Sequence, residues 1–530
     1  MGVLGRSKPD LYTHAADNIK ELGSQFVYQL GTSFKKDDFN LTDLKAKRDK
    51  MFDQVENTLK RIDAGTGSAQ DKYKKKVEVL RGAQSFAQKL TDDATSNNFH
   101  QWAYSGSRGS KSQVMQIISA PVIVADPKDK VIPMLIRKSY NEGLAPSDYW
   151  VSSYGTRKGT VGAKLSVQPS GALAKEIVGN VLDVVVSQHN CGTKEGFEVP
   201  INDAKDIVER YEAGTDHFID SRYYEDLKKK DVKTVLVRSP IKCHAKQGIC
   251  QMCYGNTEKG HLPDIGDNVG VQSAHAITEP LTQMGLGSKH TAGTAALETV
   301  GLDTIKQFFT MTNQYSGAAV IAENSGTITN IAKAPAGGTN VWVDKKRYHI
   351  VPGMEHNLKI GDKISAGDIM TKGLPNLSKI TPYKGIDHSR ELFVNTAHNL
   401  YDRAGAYSVR KNFETIARGL VNYVTIEDPG DLTHHVHGDV VDYNQLRVEI
   451  EELKKLHPGA HLPKFSPIQK GTTWAPQDKK DWMANFGFKY LKTNLIENAA
   501  MGVSSKVHGY HPVASYAVGN EFGDSTNGKY

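Results

Sequence analysis

The chain has 530 residues, 38% hydrophobic and 24% charged, with a formal net charge of +7. That length is too great for one simple core and predicts several domains, while the small basic excess is compatible with anionic partners without establishing them. No apolar run reaches the roughly 18 residues of a spanning helix and MGVLGRSKPD is no signal peptide, so the expectation is a soluble intracellular protein with no membrane partner.

Residues 1–104 read as mostly helical, a contact arm in character. AADNIKELGSQFVYQL and KRDKMFDQVENTLKRIDA carry apolar residues at helical spacing with charges opposite. The second predicts one arm of an antiparallel pair, with VEVLRGAQSFAQKL as its partner. The basic runs within and beyond this region, such as KAKRDK and DKYKKK, read first as solvated helix faces. SGSRGSKSQ then breaks the pattern: its glycines permit close backbone approach and Arg108 and Lys111 offer cations, but the spacing of a nucleotide-binding loop is missing.

Residues 105–188 are therefore a loop followed by a long helical stretch. One helix over Ser147–Val184 would run about 55 Å. It would also carry several glycines and a mid-run Pro169, at about 1 and 3 kcal/mol each relative to alanine. Propensity alone prefers two helices joined by a QPSG turn. Residues 189–260 hold the cysteines and 261–316 a Gly-loosened, Thr/Ser-rich segment around His290. Residues 317–373 alternate β-branched residues with Gly/Asn/Asp turns and predict a small β-rich module. Residues 374–523 return to helix, including KDWMANFGFKYLKTNLIENAAMG, with DPGDLTHHVHGDVVD as a loop. Residues 524–530 are a frayed tail.

The chain contains four cysteines, Cys191, Cys243, Cys250 and Cys253. A C-x2-C pair with a third and fourth cysteine and none left over predicts a closed tetrahedral zinc site, structural in role because it leaves no open position. His244 competes as a ligand by position. Such an anchor followed by the loosened segment at His290 reads as a mobile catalytic element on a fixed base.

At this point the residues acquire a family resemblance. GDNVGVQSAHAITEPLTQMGLGSKHTAGTA resembles the start of the trigger loop in the largest (β′) subunit of multisubunit RNA polymerases. EGLAPSDYWVSSYGTRKGTVGAKLSVQPSGALAKEI is similar to that subunit's bridge helix, and SGSRGSKSQ to the loop that precedes and supports it. HNCGTKEG and CHAKQGICQMCYG resemble its four zinc cysteines, and VRKNFETIARGLVNYVTIEDPGD its C-terminal helices. The motifs keep the family's order over about residues 20–523. The resemblance favours a braced, bendable helix over the QPSG turn, and the expected fold is a mainly helical α+β multidomain chain with bridge helix, trigger loop, zinc site and β-rich module.

The resemblance implies a DNA-dependent RNA polymerase, a nucleotidyltransferase acting only within a complex. His290 would contact the NTP phosphates, Gln283 the ribose, and Leu286 would pack under the incoming base. Lys289 would replace a phosphate-contacting arginine, whose place is taken by Gly287. Arg157, Lys158, Val167, Gln168 and Pro169 would lie on the bridge helix facing the template, with Arg108 and Lys111 in the supporting loop. The family's Asp-x-Asp-x-Asp motif, which holds catalytic Mg2+, does not occur in the sequence. The expectation is a separately encoded C-terminal half, most like those of giant bacteriophages. Its expected partners are the N-terminal half of β′, β-type subunits, a promoter-specificity subunit, DNA template, RNA product and NTPs. Its expected place is the cytoplasm of an infected bacterial host, with packaging in a virion left open. The alternative is a non-catalytic zinc-containing nucleic-acid-binding or assembly factor derived from a β′ fragment.

Overall fold

The computed structural model describes residues 8–31, 35–39, 44–93, 98–126, 130–165, 167–291, 301–312, 317–334, 337–351, 354–473, 496 and 499–502. Most of the expected last helical stretch, KDWMANFGFKYLKTNLIENAAMG, and all of the tail at 524–530 lie outside these residues. The chain divides into two compact units, Met1–Val167 with Gly285–Glu298, and Gln168–Met284 with Thr299–Tyr530.

The first unit opens with helix α1 (Pro9–Leu30), followed by α2 (Lys45–Ala64) and α3 (Ala69–Asp93). The last two form a hairpin, as their periodicity predicts. Phe52, Val55 and Leu59 recur on one face of α2 and meet Leu80, Ala83 and Ala87 of α3 in a buried cluster. The short turn between them is tied by Lys72 Nζ donating to Asp63 O (2.8 Å) and by an ion pair of Lys76 with the Asp63 carboxylate. Helix α4 (Asn98–Tyr104) leads to α5 (Lys111–Ile118), and an antiparallel pair, β1 (Val122–Ala125) and β2 (Val131–Ile136), closes onto the hairpin's apolar face. Helix α6 (Pro146–Leu165) completes this unit's helices before the division.

The second unit begins with α7 (Val167–Val181), whose first residue falls at the division. Gln168, Pro169, Ser170 and Gly171 are helical, so QPSG is not a turn. Pro169 is the third described residue of α7. In a continuing helix its ring would press on the carbonyl four residues back, that of Leu165. Helix is assigned over Pro146–Leu165 and Val167–Val181, with Ser166 outside the described residues, and it stops at Val181.

Short strands β3 (Val186–Gln188) and β4 (Phe197–Pro200), helices α8 (Ala204–Ile207) and α9 (Ser221–Lys229), then β5 (Thr234–Val237) and β6 (Ile249–Cys250) build the cysteine region. β3 pairs in parallel with β6 and β4 antiparallel with β5. Helices α10 (Gln251–Tyr254), α11 (Val269–Thr291) and α12 (Leu302–Thr310) follow, and the unit division cuts α11 after Met284. Gly270 at the start of α11 has a packing reason: a Cβ there would lie 2.1 Å from Val181 O, so only glycine lets α11 meet the end of α7.

Residues 317–373 hold a four-stranded antiparallel sheet of β7 (Gly326–Lys333), β8 (Thr339–Val343), β9 (Lys346–Ile350) and β10 (Lys363–Ile364), in the order β10-β7-β8-β9. Ile328, Val341, Val343, Tyr348 and Ile350 fill its separate small core. Helices α13 (Leu377–Arg403, kinked at Gly385) and α14 (Arg410–Leu420) precede a three-stranded sheet. In it β11 (Tyr423–Asp428) lies between β12 (Val440–Asp442) and β13 (Lys464–Ile468), with α15 (Tyr443–Leu456) between the last two in sequence. One large core joins α7, α11, α12, α13, α14 and the cysteine region, with Phe308, Phe309 and Phe393 packed ring against ring. Among the described residues no helix is long and apolar enough to cross a membrane.

Candidate functional site

The four cysteines converge. Their Sγ atoms all lie within 4.8 Å of one another, with Cys191 and Cys253 at 3.7 Å, and none is in a disulfide. Backbone amides aim at the sulfurs: Cys253 N and Cys250 N donate to Cys250 Sγ and Cys243 Sγ (both 3.4 Å), and His244 N to Cys191 Sγ (3.3 Å). That pattern suits thiolates. The competition over the fourth ligand resolves in favour of Cys191, since His244 contributes its amide while its ring faces Glu195 (3.7 Å).

Gly248 permits the knuckle between β3 and β6. It has φ +56, and a Cβ would sit 1.9 Å from Val185 O. Crowding the sulfurs splits their proton affinities: hydrogen bonds from Cys243, Cys250 and Cys253 drive Cys191 toward the thiolate, and the same contacts push Cys250 and Cys253 upward. A tetrahedral zinc ion taking all four as thiolates would relieve that competition, and the donor set fits it.

Two buried arginines complete the surroundings. Arg238, fully buried, places Nη2 3.4 Å from both Cys191 Sγ and Cys253 Sγ, and donates from Nη1 to Asp216 (2.7 Å). Burial opposes its charge, but Cys253 and Asp216 hold it more firmly protonated than usual. Arg418 of α14 donates to the carbonyls of Cys243 (2.6 Å), Ala245 (3.0 Å) and Gly248 (3.2 Å), clamping the knuckle's backbone. A further buried pair, Arg210 with Glu414, links the region to α14, and Ser239 Oγ donates to the same carboxylate (2.7 Å). Desolvation would raise the Glu414 carboxyl, yet Arg210 and Arg410 keep it below its ordinary range. None of these arginines stood out in the sequence, because their partners lie tens to hundreds of residues away.

Downstream, α11 carries the trigger-like motif. Pro280 interrupts the helix ladder, and in the preceding turn the carbonyl of Ile277 accepts from the buried Tyr401 hydroxyl (3.0 Å). Gln283 is exposed on α11 and donates to Glu279 (3.2 Å). Leu286, Gly287, Lys289 and His290 are helical in backbone, and their side chains lie outside the described residues. The same holds for Lys158 of α6 and Val167 of α7, while Arg157 and Gln168 are exposed and Pro169 is half-buried.

In SGSRGSKSQ, Arg108 and Lys111 are both exposed, with Lys111 Nζ 4.5 Å from the centre of the Tyr104 ring. Ser110 and Gln113 form a capping box at the start of α5, a signal the sequence carried and the loop reading passed over.

Comparison with known proteins supplies the remaining observation. Residues 143–435, more than half of the chain, match the family described as RNA polymerase Rpb1, domain 5. The chain belongs to the RNA polymerase β′ family. It is 30% identical to the DNA-directed RNA polymerase subunit beta' of Caldanaerobacter subterraneus over 93% of its own length and 44% of that subunit. It is 27% identical to the same subunit of Pelotomaculum thermopropionicum over 92% of this chain and 44% of the relative. For Clostridium botulinum the figures are 32% identity, 75% and 36%. The chain thus spans less than half the length of these β′ relatives. The span matched to the family takes in all four clustered cysteines, Pro169 and His290.

Proposed function

We propose that this chain acts within a DNA-directed RNA polymerase and supplies its bridge helix and trigger loop. The observation that carries the reading is the similarity to β′ subunits over 93% of the chain. In this reading α6 and α7 form the bridge, the α11 segment folds against it when a matched NTP binds, and closure excludes water and aligns the reactants. Gln283 meets the ribose, Leu286 packs under the incoming base, and His290 with Lys289 faces the NTP phosphates. There the imidazole stabilises or protonates the leaving pyrophosphate. Arg157, Lys158, Val167, Gln168 and Pro169 face the template strand, and Arg108 and Lys111 brace the bridge.

Mg2+ supplies nucleophile activation and charge neutralisation in nucleotidyl transfer. The sequence lacks the family's three-aspartate motif, so those ligands come from another part of the polymerase. Zinc at Cys191, Cys243, Cys250 and Cys253 is structural and holds the end of α7 to the base of α11. The replacement of the family's arginine by Gly287, and Val167-Gln168-Pro169 in the bridge, support a divergent member of the kind giant bacteriophages encode. The partners are the remaining β′ and β-type polypeptides, a promoter-specificity subunit, DNA, RNA and NTPs.

The test is extension of an RNA primer on an RNA–DNA scaffold by the complex that co-purifies with this chain. Template-directed extension is expected. Absence of extension, together with absence of any co-purifying chain bearing the aspartate motif, would replace this reading with that of a zinc-containing nucleic-acid-binding or assembly factor.

A further inference from the structure

The connection between β11 and β12 contains THHVH, and two of its histidines converge on one carboxylate of α15. His435 Nε2 lies 2.7 Å from Glu449 Oε2, and His434 Nε2 lies 3.8 Å from the same oxygen. All three ligand atoms fall within 4.8 Å of one another. His437 turns away, bonding to Glu427 O through Nδ1 (2.7 Å). We propose that His434, His435 and Glu449 form a second metal site, selective for a zinc-class divalent transition ion and separate from the four cysteines.

Geometry and chemistry both support the assignment. Bonds of 2.0–2.1 Å in a tetrahedron put neighbouring ligands about 3.3 Å apart. The observed 2.7 and 3.8 Å straddle that value, so small side-chain rotations admit an ion. Two imidazoles and a carboxylate suit zinc, cobalt or nickel, whereas magnesium and calcium prefer oxygen alone.

The outer groups have the arrangement a ligand set needs. Gln445 Nε2 donates to the other Glu449 oxygen (2.7 Å), and Asp439 Oδ2, which accepts from Val436 N (3.1 Å), lies 3.9 Å from His435 Nδ1. A simple His–Glu hydrogen bond accounts for His435, whose side chain is 3% exposed, but not for an exposed second imidazole aimed at the same oxygen. Because His434 is 63% exposed, the fourth coordination position opens to solvent. The ion would pin the β11–β12 connection to α15.

The experiment is zinc content by mass spectrometry on the full chain, in the complex it purifies with, after equilibration with Zn2+ and removal of unbound metal. Wild type should hold a second zinc ion per chain beyond the one on the cysteines. His434→Ala, at an exposed position that leaves the fold intact, and Glu449→Gln should each weaken that second ion at least about tenfold while leaving the first. Cobalt substitution should show that the ion lost in these variants lacks thiolate charge-transfer absorption. A wild type without the second ion, or a second ion retained in both variants, overturns the proposal.

Discussion

Arg48 at the base of the α2–α3 hairpin shows how single residues hold the first unit together. Its buried guanidinium donates to Ser119 O (2.7 Å) and to both oxygens of Glu142 (2.7 and 3.1 Å), and Lys45 approaches the same carboxylate (2.6 Å). Partial burial would raise the Glu142 carboxyl, but Arg48, Lys45 and the Ser139 amide pull it down to about 2 from an ordinary 4.5. A carboxyl depressed on folding stabilises the protein above its unfolded pKa, and that contribution fades as pH falls from about 4.5 toward 2. Denaturant unfolding near pH 6 and near pH 3 should therefore show a wild-type loss larger than that of Glu142→Gln by on the order of 1 kcal/mol, after allowance for solvent screening. Equal losses would mean that the network contributes nothing through this carboxyl.

At the scale of elements, what could be read from the sequence was what depends on neighbours in sequence or on a rare residue type. The α2–α3 hairpin was legible because Phe52, Val55 and Leu59 keep helical spacing, and the cysteine cluster because all four cysteines of the chain are needed to complete it. The turn that propensity places at QPSG is absent, since Gln168, Pro169, Ser170 and Gly171 are all helical. Propensity counts the local cost of glycine and proline but not the packing of Leu173, Ile177 and Val181 into the large core.

The arginines around the knuckle and the convergence of His434, His435 and Glu449 depend on tertiary contacts that no local pattern announces. If α6 and α7 serve as the bridge, Pro169 fixes a kink that other members of the family would only visit. Pro169→Asn should then alter translocation, seen as changed pausing and elongation rate on a defined template. Unchanged pausing and rate would show Pro169 to be mechanically neutral.

At the scale of the whole molecule, both segments expected to move cross the division between the two compact units, α7 at its first residue and α11 between Met284 and Gly285. The large core, the cysteine knuckle and the buried Arg210–Glu414 pair lie in the second unit. His290 belongs to the first by its backbone. Family membership was legible from ordered motifs, while the proposed chemistry rests on His290, whose side chain lies outside the described residues. The most direct measurement is the rate of single matched-nucleotide addition by the complex containing wild-type chain or His290→Ala, on one scaffold at saturating NTP. A working trigger element predicts slowing by about two orders of magnitude or more, in the range expected for loss of a positioned acid or electrostatic contact. Equal rates would contradict the account by removing His290 from the chemistry.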